Sequence, residues 1–159
     1  MDKIMLKNLI LRVIGQFQLD PKGVHGIGHW ARVMANGRRL SASTGANQRV
    51  VCLFAVFHDS CRLNDWVDPE HGLRGAQLAA QRRNDWFELS DGEMALLWDA
   101  CSQHTGGRWH DDVTVQTCWD ADRLDLGRVG IEPDPRYLLT SAGQGPEMFE
   151  WAHSRRFSY

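Results

Sequence analysis

Charge of one sign is what this 159-residue sequence has least of: 18 Lys and Arg stand against 20 Asp and Glu, for a formal net charge of −2. No field that would draw in nucleic acid or anionic lipid is built into such a composition, which excludes polyelectrolyte binding by bulk charge. The pairs Arg82-Arg83 and Arg155-Arg156 are too short to make a basic track, so neither a nucleic-acid polymer nor a membrane is an expected partner. Cysteine is scarce as well. Cys52, Cys61, Cys101 and Cys118 lie far apart with no C-x-x-C pair, which excludes a thiolate zinc site or a disulfide frame and predicts reduced, packed thiols. Long apolar runs are missing too: the opening Met1-Asp2-Lys3 carries an acid where an export signal needs net positive charge, and Lys7, Asn8 and Arg12 interrupt the apolar residues after it. A cytoplasmic protein is the expectation. No stretch alternates with period two for long enough to be a strand, and no repeat or linker divides residues 1–159, which are expected to form a single all-α domain. With 43% hydrophobic and 24% charged residues the chain is ordinary globular material.

What is present is helical periodicity. Ile4, Leu6, Leu9, Ile10, Val13, Ile14 and Phe17 draw an amphipathic helix stopping near Asp20-Pro21, and Trp30, Val33, Met34 and Leu40 predict a second from His25 to about Leu40. Asn47 is placed to cap a third, whose run from Val50 to Phe57 is apolar all round and therefore belongs in the interior. It ends on His58-Asp59, so two polar side chains arrive in the core and must be satisfied there. A fourth helix spans His71 to about Gln81. Ser90-Asp91-Gly92-Glu93 has the capping-box form and opens a fifth that runs to His104 before Gly106-Gly107. Asp111 or Asp112 caps a sixth through Asp122, and one or two short helices are expected after Pro135. The total expected is six or seven.

His29, His58-Asp59, His71, His104 and Asp122 each fall on or at the end of one of these helices. Packed helices can turn such residues toward one interior point, which is how bundle proteins assemble metal sites from distant positions. Imidazole with carboxylate and no thiolate suits one or two divalent ions of Mn, Fe, Co, Ni or Zn, used for reactivity rather than structure. A metal that lowers the pKa of water and polarises a phosphoryl oxygen is suited to phosphoester hydrolysis.

The string His29-Trp30-Ala31-Arg32-Val33, the doublet His58-Asp59 at the end of an apolar helix, and Ala121-Asp122-Arg123-Leu124 resemble the landmarks of the HD-domain superfamily of metal-dependent phosphohydrolases, over about residues 25–128. The resemblance implies an HD-type bundle in which His29, His58, Asp59 and Asp122 hold one metal. Two-metal members add intervening histidines, which correspond to His71 and His104, with Asp59 bridging the ions and an activated water attacking phosphorus. The expected substrate is a small phosphorylated molecule, a nucleotide first of all, and a homo-oligomer is compatible with the family. The chain lacks the Gly-Tyr-Pro signature of the cyclic-dinucleotide phosphodiesterases and a clear Glu-Asp pair like that of the alarmone hydrolases. Two alternatives share the site: a di-iron oxygenase, which some superfamily members with this ligand order resemble, and a nucleotide-binding metal module without turnover.

Around these residues Arg62, Asp65 and Arg74 flank the doublet and the next histidine, where a guanidinium can hold phosphate and a carboxylate can orient water or take a proton; a solvated loop is the other reading. His25, four residues before His29, is either a substrate contact on the same helix face or a loop histidine beside Gly26. Asp120 competes with Asp122 as the late ligand, but two positions apart on a helix they face different ways, and the family pattern selects Asp122. Asp125 is expected to pair with a nearby Arg, and His110 and His153 to lie at the surface. Of seven tryptophans, Trp30, Trp66 and Trp119 stand beside proposed site residues, where one can stack on a nucleobase or all can be core.

Overall fold

The computed structural model describes residues 2–156, which form eight α-helices: α1 (Lys3–Ile14), α2 (Ile27–Thr44), α3 (Gln48–Phe57), α4 (His71–Arg82), α5 (Asp91–Gln103), α6 (Val113–Arg123), α7 (Ser141–Gln144) and α8 (Pro146–Ser154). Two single 3₁₀ turns, Leu126–Val129 and Pro135–Tyr137, bridge α6 to α7. Among the described residues the only β feature is one isolated bridge between Arg83 and Phe87. The all-α expectation holds. The count exceeds six or seven because the tail folds into two helices of its own, started by Thr140, whose Oγ1 accepts from Gly143 N, and by Pro146 at the first helical position.

The architecture follows from α3. All its residues from Val50 to Phe57 are buried, and a helix without a polar face can only be enclosed. α2, α5 and α6 pack on it from different sides, α4 lies against α3 and α5, and α1 reaches it through Leu9 and Val13. Each large aliphatic or aromatic side chain so enclosed contributes about 1.5–3 kcal/mol. The caps are those the sequence predicts: Asn47 Oδ1 accepts from Arg49 N and Val50 N, Ser90 and Glu93 close a reciprocal capping box, and Asp112, not Asp111, accepts from Thr114 N.

Two boundaries differ from expectation. α1 stops at Ile14, where Gly15 caps it, and Phe17 instead packs its ring edge-on against Trp30 at 5.2 Å. α2 begins at Ile27, after a loop closed by Gly26 N to Gly23 O and Ile27 N to Pro21 O, and runs on to Gly45, whose φ of 75° supplies the left-handed cap. His25 therefore sits in that loop and not on the helix.

Candidate metal centre

Five helices each bring a ligand-type side chain to one buried point. His29 lies in the first turn of α2, His58 caps the C-terminus of α3 with Asp59 directly after, His71 opens α4, His104 caps the C-terminus of α5, and Asp122 is in the last turn of α6. The four imidazoles and Asp59 are at most 5% exposed.

The Asp59 carboxylate divides between two sets. Its Oδ2 lies 3.5 Å from His29 Nε2 and 3.7 Å from His58 Nε2, and these nitrogens are 3.0 Å apart. Its Oδ1 lies 3.2 Å from His71 Nε2 and 3.7 Å from His104 Nε2, themselves 2.9 Å apart. In each set the three ligand atoms fall within 4.8 Å of one another, so each can hold a metal ion. Asp122 joins the first set, its Oδ1 3.3 Å from His29 Nε2 and 3.7 Å from His58 Nε2. That oxygen is buried without a hydrogen-bond partner, an orphan that a cation would satisfy. The second set depends on close approach of α4 and α5, which Gly72 permits: a Cβ there would stand 2.8 Å from His104 Nδ1 and collide with the Cys101 carbonyl.

The ring nitrogens facing away are all engaged with oxygen. His29 Nδ1 contacts Asp125 Oδ2 at 2.7 Å, His58 Nδ1 contacts Phe54 O at 3.1 Å, His104 Nδ1 contacts Cys101 O at 2.8 Å, and His71 Nδ1 contacts Asp68 O. A carbonyl or carboxylate only accepts, so each Nδ1 carries a proton and each Nε2 faces inward. Lone pairs meeting at 3 Å or less repel unless a proton or a cation lies between, and outward-anchored imidazoles are what metal ligation requires.

The protonation balance agrees. Burial and the neighbouring Arg128 push the His29 pKa down, but the carboxylates of Asp122, Asp125 and Asp59 around the ring outweigh them and hold it at about 9. Burial dominates at His58 and lowers it to about 3, so this ring is neutral. Burial raises Asp59 and Asp122, yet the surrounding imidazoles, with Arg128 beside Asp122, hold both carboxyls below the usual range.

A cleft of about 870 Å³ opens over the two sets, with Asp59, His104 and Asp122 in its floor. Of the sequence-predicted residues, His25, Arg62 and Asp65 line it. His25 Nδ1 contacts Asp65 Oδ1 at 2.9 Å, and Arg62 Nε donates to Asp59 Oδ1 at 2.9 Å. Arg74 is not among the lining residues: its guanidinium is held by both oxygens of Asp68 at 2.6 Å and by Cys61 O. Asp120 and Asp122 do face different ways, since Asp120 accepts from Leu139 N, Thr140 N and Thr140 Oγ1. Trp30 and Trp119 are core, Trp66 is exposed but outside the cleft, and His110 is half-buried against Trp119 and Asp99.

Sequence reasoning passes over several neighbours. Arg128 comes within 3.9 Å of both Asp59 Oδ2 and Asp122 Oδ1 while donating to Val24 O and Asp125 O. Arg32, read only as part of the His29 string, is the arginine that grips Asp125, through Nε at 2.7 Å and Nη2 at 3.1 Å. Thr105 Oγ1 stands 3.4 Å from both His71 Nε2 and His104 Nε2. Spacing offers no signal for Arg128 or Thr105; the three-residue step from His29 to Arg32 is a signal for shared helix face.

No family model and no curated protein matches the chain. Among solved structures it is similar to a predicted HD superfamily hydrolase from an uncultured Thermotogales bacterium, with 23% identity over 96% of this chain and 84% of that one and a TM-score of 0.70. The chain thus shares the helical fold of that structure, and its own histidines and acids meet at one buried centre.

Proposed function

We propose that this protein is a two-metal phosphohydrolase acting on a small phosphoester, with a nucleotide as the leading substrate class. The observation that carries the reading is the division of one buried carboxylate, Asp59, between two imidazole pairs whose outer nitrogens are all anchored. Within this arrangement His29, His58, Asp59 and Asp122 would hold one divalent ion, and Asp59, His71 and His104 a second. Bound there, the ions would lower the pKa of a water and offset the charge of the phosphoryl oxygens.

The protein's own groups supply the rest. Arg62 and Arg128 flank Asp59 on its Oδ1 and Oδ2 sides and face the cleft, so they are placed to bind phosphoryl oxygens by charge-assisted hydrogen bonds. The His25–Asp65 pair serves proton transfer. Burial lowers the pKa of His25 despite the Asp65 hydrogen bond, which keeps the ring ready to accept a proton. With Nδ1 committed to Asp65, Nε2 can take the proton of the attacking water and return it to the leaving oxygen. The four free cysteines fit a reducing, cytoplasmic setting, and no helix among the described residues is long and apolar enough to cross a membrane.

The test is phosphate release from a panel of nucleotides and generic phosphoesters by manganese-loaded protein, beside a His58→Ala/Asp59→Ala variant. Release by the wild type and none by the variant is expected. No release by either overturns the reading, as would two irons per chain with oxygen uptake in protein purified without air.

A further inference from the structure

The two halves of the centre are unequally furnished. Around the first stand two imidazoles and two carboxylates, those of His29, His58, Asp59 and Asp122. For the second, His71, His104 and the shared Asp59 make three. A further oxygen stands beside these, the Thr105 hydroxyl, 3.4 Å from His71 Nε2 and 3.4 Å from His104 Nε2. Both contacts are long for a hydrogen bond. They match instead the spacing that a shared ion imposes, since two donor atoms each about 2.1 Å from one ion at a tetrahedral angle lie roughly 3.4 Å apart. The other spacings of the set fall in the same range: 2.9 Å between the two nitrogens, and 3.2 and 3.7 Å from them to Asp59 Oδ1.

The turn after α5 holds Thr105 in this place. Gly107 N donates to Gln103 O at 2.7 Å, and Arg123 Nη2 donates to Gly107 O. A Cβ on Gly107 would collide with the Trp119 ring, so the backbone lies directly on that indole. Thr105 follows His104 in sequence, and closing the turn onto Gln103 and Trp119 leaves its hydroxyl between the two imidazoles at the edge of the cleft. Among the described residues the hydroxyl has no other hydrogen-bond contact.

We propose that Thr105 Oγ1 is the fourth protein donor of the second metal set, a neutral oxygen in the role that the Asp122 carboxylate has in the first. Resting on the two-metal reading above, the assignment makes the metal concentration at which the centre is complete depend on an uncharged side chain. A hydroxyl oxygen suits the oxygen-preferring ions of the series, manganese among them.

Manganese titration of the metal-free full chain by calorimetry, with electron paramagnetic resonance to tell isolated ions from paired ones, is the test. The wild type is expected to take two ions. Thr105→Val keeps the branched shape, removes the oxygen and is expected to weaken one of the two ions about tenfold or more, since losing even an outer partner of a ligand costs about 10- to 100-fold. Thr105→Ser keeps the oxygen and is expected to bind both ions as the wild type does, which a packing role for the lost methyl would not give. Thr105 is exposed, so both variants are expected to fold, and thermal melts check this. Two ions in the wild type with both affinities untouched in Thr105→Val, both weakened alike, or the same loss in Thr105→Ser overturns the assignment and leaves the two-metal reading standing. One ion or none in the wild type overturns both. A second ion that depends on Thr105, in a protein that releases no phosphate from any ester, refutes the hydrolase reading alone.

Discussion

Replacing Asp125 by alanine perturbs the metal centre without touching a ligand. Asp125 is 5% exposed and accepts from His29 Nδ1 at 2.7 Å and from Arg32 Nε and Nη2 at 2.7 and 3.1 Å. Two consequences can be sized separately. Arg32, whose side chain is 10% exposed, loses its ion-pair partner, and stranding one member of a buried pair costs about 3–5 kcal/mol. For a chain of this length that is a fall in melting temperature of roughly 6–20 °C. His29 in turn loses the acceptor that fixes its proton on Nδ1, and removing such an anchor lowers metal affinity about 10- to 100-fold. Calorimetric titration with manganese and thermal melts of the metal-free protein read the two effects. The set of His71 and His104 is an internal control, since its imidazoles are anchored on the backbone carbonyls of Asp68 and Cys101. Asp125→Asn, which keeps one acceptor oxygen but loses the charge, should fall between. Wild-type affinity at the first set with an unchanged melt in Asp125→Ala would refute the reasoning.

Other parts of the site give further expected outcomes. Gly72→Ala forces a Cβ onto Cys101 O and the His104 ring, so it should cost about 1–3 kcal/mol by overpacking and lower metal stoichiometry from two to one, checked by metal analysis after dialysis. Asp120→Ala removes the acceptor for Leu139 N, Thr140 N and Thr140 Oγ1, and each of the two buried Thr140 donors left unpaired costs about 1–3 kcal/mol. Hydrogen exchange at those amides should accelerate while manganese binding persists, because Asp122 faces the other way. A metal must displace the proton that His29 holds with a pKa of about 9, whereas Asp59 and Asp122 are already ionised. Manganese affinity should therefore rise about tenfold per pH unit between roughly pH 6 and 8, with one proton released per ion at the first set. A flat profile in buffers of differing ionisation enthalpy would contradict that.

Much of the protein is legible before folding. The all-round apolar stretch from Val50 to Phe57 can only be a central helix, and it carries His58 and Asp59 into the interior with it. Caps at Asn47 and Ser90 are local chemistry that neighbours within a turn determine. The choice of Asp122 over Asp120, taken from the family pattern, coincides with their opposite directions in α6.

Other features depend on distant chain segments. The spacing of His25 and His29 suits one helix, but hydrogen bonds from Gly26 and Ile27 back to Gly23 and Pro21 hold His25 in a loop that still reaches the cleft. Arg74 has the right type and neighbourhood for phosphate, and its guanidinium is paired with Asp68, six positions back in the chain. The pairing of Arg32 with Asp125 spans 93 positions, and Arg128 reaches Val24 across 104. Residue order determined which helices form and which ligand-type side chains they carry, because periodicity and capping are settled within a turn or two. Only the tertiary structure decided that Asp59 faces both imidazole pairs, which arginines line the cleft, and that Tyr137 rather than a tryptophan does so. Those outcomes are set by which atoms lie within hydrogen-bond reach of one another once the helices pack.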